Sequence, residues 1–372
     1  MKLRIERAAL LKSLQHMQSV VERRNTIPIL SNVLLDATPG RLALTATDLD
    51  LWMVEHVTAV VEQPGGTTVP AQTLYDIVRK LPDGAEVELA TETDGRLLVR
   101  AGRSRFHLPS LDREDFPLMP EGDLPHKFTL GSAELRRLIE KTRFAISTEE
   151  TRYYLTGIYF HAAKADGGAA TLRAVATDGH RLARIESPLP KGAAQMPGVI
   201  VPRKVVTEIY RLIEGQDAEI SLSLSESKIR IEFDGAVLTS KLIDGTFPDY
   251  QRVIPSGNDK VLEVDAKAFA SAVDRVSTVS TEKSRAVKLA LVKGKAVLSA
   301  SSAENASATE ELAVGYDSSD LEIGFNARYL IEILGEIDGE SAEFVFADAV
   351  SPTIVRDATD QGALYVLMPM RV

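Results

Sequence analysis

The sequence predicts an α+β fold built three times over, each domain carrying two helices packed on antiparallel sheet. Three observations predict it: a repeated order of elements along the 372 residues, apolar residues at helical spacing, and strands that alternate with period two. The repeat is the strongest of these. Residues 69–109 open on Val69-Pro70, continue as an amphipathic helix and end in alternating strands. Residues 201–242 do the same from Val201-Pro202, and a third copy starts near Phe325 and closes on ALYVLMPMRV. The front half of each unit also recurs, as helical stretches over 7–24, 132–143 and 265–275, each followed by strand-like runs. Phe116-Pro117 and Phe247-Pro248 end the first two units in register. The domains are expected at 1–121, 128–250 and 252–372, with linkers near 120–127 and 251–260 where proline, glycine and charge cluster.

Each element rests on its own spacing. Leu135, Leu138, Ile139 and Thr142 fall at i, i+3, i+4 and i+7, which gives one stripe to set against a sheet. Val205, Ile209 and Leu212 repeat the arrangement one half-unit later. Lys228-Ile229-Arg230-Ile231-Glu232-Phe233 alternates polar and apolar, so one face is wet and one buried. Tyr153-Tyr154 reads either as a strand pair, one ring in and one out, or as an aromatic surface for a nucleic acid. The terminal Met368 and Met370 suit an adaptable peptide pocket or a last edge strand tucked onto the core.

Composition narrows the function classes. The chain holds no cysteine, which excludes disulfides, thiolate metal sites and cysteine nucleophiles. Its start, Met1-Lys2-Leu3-Arg4-Ile5-Glu6, alternates in charge and lacks the apolar run of a signal peptide or membrane span. A cytoplasmic protein fits both facts. The net charge is −10, whereas nucleic-acid binders usually carry a basic excess. Its distribution is uneven: the helical windows of the first two repeats are net basic, the fifth is neutral, and the sixth is acidic. Arg7, Arg23, Arg24, Arg79, Lys80, Arg136, Arg137, Lys141, Arg143, Arg203, Lys204 and Arg211 sit mostly off the apolar stripes. They form either an ordinary solvated face or a surface offered to phosphates.

Catalytic signatures are sparse. No phosphate-cradling glycine loop, zinc-binding helix or nucleophile elbow occurs. The best catalytic pairing is Asp178 with His180, which supports a competing hydrolase reading. Asp48 and Asp50 occupy the equivalent place in the first repeat, and Glu304-Asn305 in the third. That recurrence fits a turn-forming Asp bonding its own backbone. Two carboxylates alone are a poor cage for a divalent cation, so no metal is expected there.

Several blocks then resemble a known family. ERRNTIPILSNVLL (22–35), ATDGHRLA (176–183), VPRK (201–204), TSKLIDGTFPDYQRVIP (239–255), IGFN (323–326) and the terminal MPMR are similar to the beta subunit of bacterial DNA polymerase III, over the whole chain. The resemblance implies the DNA clamp fold and a head-to-tail homodimer closing into a ring around double-stranded DNA. It implies no enzymatic activity and no cofactor. The partners it implies are the polymerase III alpha subunit, the clamp loader and other proteins with clamp-binding peptides. Arg24, Tyr153 and Tyr154 match the family's DNA-contacting positions. Gln72 stands where better-known members have Arg, and Glu149 where they have Gln. Arg203 and Lys204, the basic pair after the second Val-Pro, are grouped with them. The family's partner cleft corresponds to Leu155, Thr177, Gly179, His180, Arg181, Leu182, Pro248, Arg252, Val253, Asn326, Tyr329, Val350, Val366, Leu367, Met368, Pro369, Met370 and Arg371. Ser284 and Pro352 depart there, from a familiar Phe and Ser. Ring closure corresponds to Phe106 and Leu108 of one copy against Thr278 and Val279 of the other. A repeat-built scaffold with no DNA role is the remaining alternative.

Overall fold

The computed structural model describes residues 1–22, 26–119, 122–165, 167–280, 285–302 and 305–371. Arg23, Arg24, Ser284 and Glu304, singled out above, lie outside the described residues. Six α-helices appear among the described residues: α1 Arg7–Val20, α2 Ala71–Lys80, α3 Ser132–Arg143, α4 Arg203–Leu212, α5 Ala266–Ser277 and α6 Ala327–Leu334. They fall in the six expected windows. Leu135, Leu138 and Ile139 are buried, as are Val205, Ile209 and Leu212, so both predicted stripes face inward. In the strand Lys228–Phe233, Ile229, Ile231 and Phe233 are buried, as its alternation requires.

Two helices are shorter than the spacing suggested. α1 stops at Val20, where Val21 turns extended and its N–H closes on the Met17 carbonyl. The β-branched pair Val20-Val21 favours that exit over another helical turn. α6, expected over 326–338, stops at Leu334, because Gly335 follows and the chain tightens through Glu336 N–H to Ile333 O. The linker expected over 120–127 is shorter too, since His126 and Lys127 already begin the strand His126–Gly131.

All strand pairing between the named strands is antiparallel. The chain forms two compact units that cut across its repeats: 1–133, 191–196 and 207–242 in the first, 134–190, 197–206 and 243–372 in the second. Within the first, an eight-stranded sheet runs from His126–Gly131 to Gly65–Pro70. It is continuous because Ala236–Lys241 pairs with Leu51–Thr58, joining repeat one to repeat two. Within the second, Arg181–Pro188 pairs with Ala363–Leu367, joining repeat two to repeat three in a nine-stranded sheet. Strand edges left open at the end of one repeat are capped by the next, which removes exposed backbone donors and acceptors. The last strand is therefore central, not the edge strand its position in the chain suggested.

Each unit also keeps a smaller sheet with free edges. In the first unit the five-stranded sheet ends on Ser104–Leu108; in the second the four-stranded sheet ends on Ser307–Ala313. Among the described residues no helix is long and apolar enough to cross a membrane.

Candidate functional site: an apolar lip over a buried floor

The site grows from a five-residue turn. Thr177 Oγ1 accepts the Gly179 N–H at 3.1 Å, while Asp178 Oδ1 accepts the N–H groups of His180 and Arg181 at 2.9 and 3.0 Å. Gly179 has φ +88°, a conformation glycine takes without steric cost. Its missing Cβ also matters, since one built there would lie 2.4 Å from Arg152 Nη1. The first repeat makes the same turn: Asp48 Oδ1 accepts from Asp50 and Leu51, and Thr47 Oγ1 from Leu49. The turn-forming reading of Asp48 and Asp178 is thus what the structure contains.

The hydrolase arrangement is not assembled. Asp178 bonds the backbone N–H of His180, and its Oδ2 takes Arg181 Nε at 3.2 Å. The His180 ring instead stacks near Tyr329, with centroids 6.1 Å apart. Among the described residues no group of three His, Asp or Glu could hold a metal ion.

Arg181 is the strut of this site. It is buried, and its guanidinium donates to Asp178, to Glu332 and, at 2.6 Å, to the Phe144 carbonyl. It also lies over the Tyr329 and Phe144 rings at 4.4 and 5.0 Å. Arg181 was expected among the cleft contacts; its Nε, Nη1 and Nη2 all bond inward, so it positions the turn. Asn326 is likewise structural, capping α6 by accepting from Arg328 and Tyr329 N–H, which sets Tyr329 in the first turn. Arg152, which sequence reasoning passed over, donates to the Asp178 carbonyl at 2.9 Å and pairs with Glu149.

The floor is apolar. Leu155, Leu182, Phe247, Tyr250, Ile354 and Val366 belong to one buried cluster, with Tyr154 and Ile254 packed against it. Leu367 is fully buried beside it in the sheet. Beneath, Arg173 bonds Glu186 at 2.8 Å and the Tyr250 hydroxyl, which in turn bonds His161 at 2.9 Å. Burial holds the His161 imidazole below its ordinary pKa. The lip is the exposed part: Val350 is 79% exposed, Val253 43% and Met368 37%. Gly179, His180, Pro248, Arg252 and Arg371 are exposed as well, with Pro369 and Met370 half-buried. Asp348 fixes Val350 outward by accepting its N–H at 2.8 Å. Met368 N–H donates to the His180 carbonyl and Met370 N–H to the Gly324 carbonyl, so the C-terminal segment is held to the turn. Pro352 leaves its carbonyl to Asn258 Nδ2 at 2.9 Å.

The other expected contact residues are dispersed. Tyr153 and Tyr154 lie in the 3₁₀ turn Glu150–Leu155 instead of a strand. Tyr153 is 53% exposed and its ring meets Tyr154 edge-on at 5.7 Å. Thr156 O accepts the Arg203 N–H at 3.0 Å, which brings the exposed Arg203 and half-buried Lys204 beside this turn. Gln72 is half-buried on α2, its amide tied to Asp76 at 3.0 Å. Phe106 is half-buried and Leu108 buried on the edge strand Ser104–Leu108, while Thr278 is exposed and Val279 half-buried just past α5. Leu108 is thus already core within one chain.

Several cations counted as free surface charge are structural. Arg7 Nε donates to the Val78 carbonyl and Nη2 to the Arg79 carbonyl, capping α2. Lys141 is buried, donating to the Glu336 carbonyl and pairing with Asp338 at 2.8 Å. Burial raises the Glu336 carboxyl to about 7. A folded pKa above the unfolded value means stability is fully present below about 4.5 and lost as pH rises through 7. Glu336→Gln should therefore raise thermal stability at pH 8.5 but hardly at pH 5. Discounting for a half-buried side chain, the gain at high pH is about 1–2 kcal/mol. Paired melting curves at the two pH values check this; an equal gain at both would refute it.

Against this geometry, the comparisons with known proteins are direct. Models of the N-terminal, central and C-terminal domains of the DNA polymerase III beta subunit match residues 1–120, 129–249 and 251–371. This chain belongs to the DNA polymerase III beta subunit family. Its fold is the family's three-domain clamp fold, and its function is that of a DNA sliding clamp for the replicative polymerase. The beta sliding clamp of Caulobacter vibrioides is 57% identical over 373 residues, covering all of both chains. The crystal structure of the Caulobacter crescentus beta sliding clamp matches with TM-score 0.96 at 57% identity, again over all of both chains. That of the Bartonella birtlesii clamp bound to griselimycin matches with TM-score 0.97 at 49% identity and the same coverage.

Proposed function

We propose that two copies close head-to-tail into a ring around duplex DNA and that the apolar lip receives peptide segments of partner proteins. The observation that carries this reading is the full-length likeness to beta sliding clamps, with all three domains present in order. In it the domains run 1–121, 128–250 and 252–372. The edge strand Ser104–Leu108 of one copy meets the edge strand Ser307–Ala313 of its partner, with Phe106 and Leu108 facing Thr278 and Val279. Arg105 lies on the first edge and Glu310 and Glu311 on the second, where they also pair with Arg275 and Lys295 of their own chain. Unpaired strand edges are ready templates for such pairing.

DNA is held by enclosure, so weak contacts suffice and allow sliding. Arg24, Gln72, Glu149, Tyr153, Tyr154, Arg203 and Lys204 face the duplex in this reading. Glu149 pairs with Arg152, which tempers its repulsion of phosphate. The lip, formed by Gly179, His180, Pro248, Arg252, Val253, Val350, Met368, Pro369, Met370 and Arg371, takes an apolar peptide over the floor of Leu155, Leu182, Val366 and Leu367. Thr177, Arg181, Asn326 and Tyr329 hold its shape. The polymerase III alpha subunit, the clamp loader and other proteins bearing such peptides dock there, and tethering raises their local concentration at the template. The protein is a non-catalytic cytoplasmic subunit and needs no cofactor.

The deciding experiment loads the protein with a clamp-loading ATPase onto nicked circular DNA. It should stay through gel filtration and leave when one restriction cut linearises the circle. Retention on both forms would mean ordinary adhesion, and retention on neither would mean a scaffold. The unbound protein should also run at twice its chain mass of 40.5 kDa.

A further inference from the structure

One short loop carries groups assigned to two different surfaces. The Ser147 N–H closes on the Leu155 carbonyl at 3.0 Å, so residues 147–155 turn back on themselves. Tyr153 is exposed on this loop, whereas Leu155 belongs to the apolar floor and Tyr154 packs against it. Between Glu149 and Tyr153 the chain leaves the 3₁₀ path at Arg152, with φ −107° and ψ 53°. That kink aims Arg152 at the lip turn. Its Nη2 donates to the Asp178 carbonyl at 2.9 Å. Its Nη1 takes the space of the side chain that Gly179 lacks, 2.4 Å from where a Cβ would lie. One guanidinium thus sets the position of both residues at the start of the turn.

Glu149 orients that guanidinium. Arg152 Nε and Nη2 both lie 2.9 Å from Glu149 Oε2. Glu149 is itself pinned at the backbone: its N–H donates to Ser147 Oγ at 3.1 Å, and its carbonyl accepts the Arg152 N–H at 3.2 Å. Ser147 is buried. A buried hydroxyl therefore places the acid, the acid places the cation, and the cation places the turn. Charge-assisted bonds of this kind are stronger than neutral ones, and the planar fork of arginine transmits their direction.

We propose that Glu149 is a positioning residue of the peptide lip, acting through Arg152 on the Asp178-Gly179 turn. The inference rests on the reading of the lip as a peptide cleft, and it gives the acid a second task beside its place at the duplex. It also gives a physical reason for Glu149 where better-known members of the family have Gln. A carboxylate holds the guanidinium more firmly than a neutral amide does, while it repels phosphate. The two surfaces then respond to this residue with opposite signs.

The full-length protein is titrated with the peptide fluorescein-Gly-Ser-Leu-Phe-amide, following anisotropy. Glu149 is 56% exposed and Arg152 32%, so solvent screens the pair and the effect is modest. Glu149→Gln should weaken binding about threefold and leave the melting temperature unchanged. It should stay on nicked circular DNA at least as long as the wild type. Arg152→Ala should weaken binding tenfold, and adding Glu149→Gln to it should change nothing further, because the acid acts only through that cation. Unchanged affinity in Glu149→Gln overturns the inference. So does the same threefold loss in the Arg152→Ala background, which would mean another route to the lip. Parallel losses of affinity, melting temperature and residence on DNA would mean general loosening, and overturn it as well. Val253→Asp judges the lip separately. If the peptide fails to saturate the wild type, or binds Val253→Asp equally well, the lip reading fails and this inference with it. If Val253→Asp abolishes binding while Glu149→Gln does not alter it, only the inference fails.

Discussion

Arg181→Ala should cost about 3–5 kcal/mol of stability, because removing one member of a buried charge network strands the rest. Asp178 Oδ2, Glu332 Oε2 and the Phe144 carbonyl all lose this donor at once, leaving Asp178 its backbone N–H bonds and Glu332 its pair with Arg328. The Phe144 and Tyr329 rings lose the cation between them. The functional loss should exceed the loss expected from one side chain at a surface. Without the strut, the turn that carries Gly179 and His180 is no longer fixed against Met368, whose N–H reaches the His180 carbonyl. Partner-peptide affinity should fall tenfold or more. Arg181→Lys separates charge from geometry: it keeps the cation but not the planar fork that serves three acceptors, so it should recover part of the stability and little of the affinity. Thermal melts and peptide titrations of both variants check this. A stable Arg181→Ala protein with unchanged affinity would show that the turn holds itself.

Gly157→Ala should be the most damaging single methyl addition in the second unit. A Cβ there would lie 2.3 Å from the Val201 carbonyl oxygen and 2.9 Å from its carbon. Both atoms are backbone of the paired strand Val199–Pro202, locked in register with Gly157 opposite Pro202. No rotamer change relieves that contact, so the strands must part. The cost should reach about 3 kcal/mol, the upper range for overpacking. The strand Val199–Pro202 leads into α4, and Arg203 N–H bonds Thr156 beside the Tyr153-Tyr154 turn. Separation should therefore shorten residence on nicked circular DNA more than it weakens peptide binding. Gly131→Ala is the control, since nothing lies within 4 Å of its missing Cβ. Melting temperature and the half-life on circular DNA provide the readouts. Equal behaviour of the two variants would sink the argument.

The amino-acid order by itself determined the elements and their repetition. Helical spacing and strand alternation are local, since neighbours three, four or two residues apart decide which face is apolar. All six helices and the recurring Asp turn were accordingly legible, and the specific blocks around ATDGHRLA and MPMR pointed to the family. Tertiary structure decided what long-range contact controls. Nothing near Ala363–Leu367 signals that it pairs with Arg181–Pro188, because that choice is made between strands almost 180 residues apart. Nor does sequence tell a solvated cation from a buried one. Lys141 and Arg181 look like any surface base until Asp338, Glu332 and their carbonyl acceptors arrive from distant parts of the chain. Burial depends on which partner can supply a compensating charge, and that partner is chosen only when the chain closes on itself.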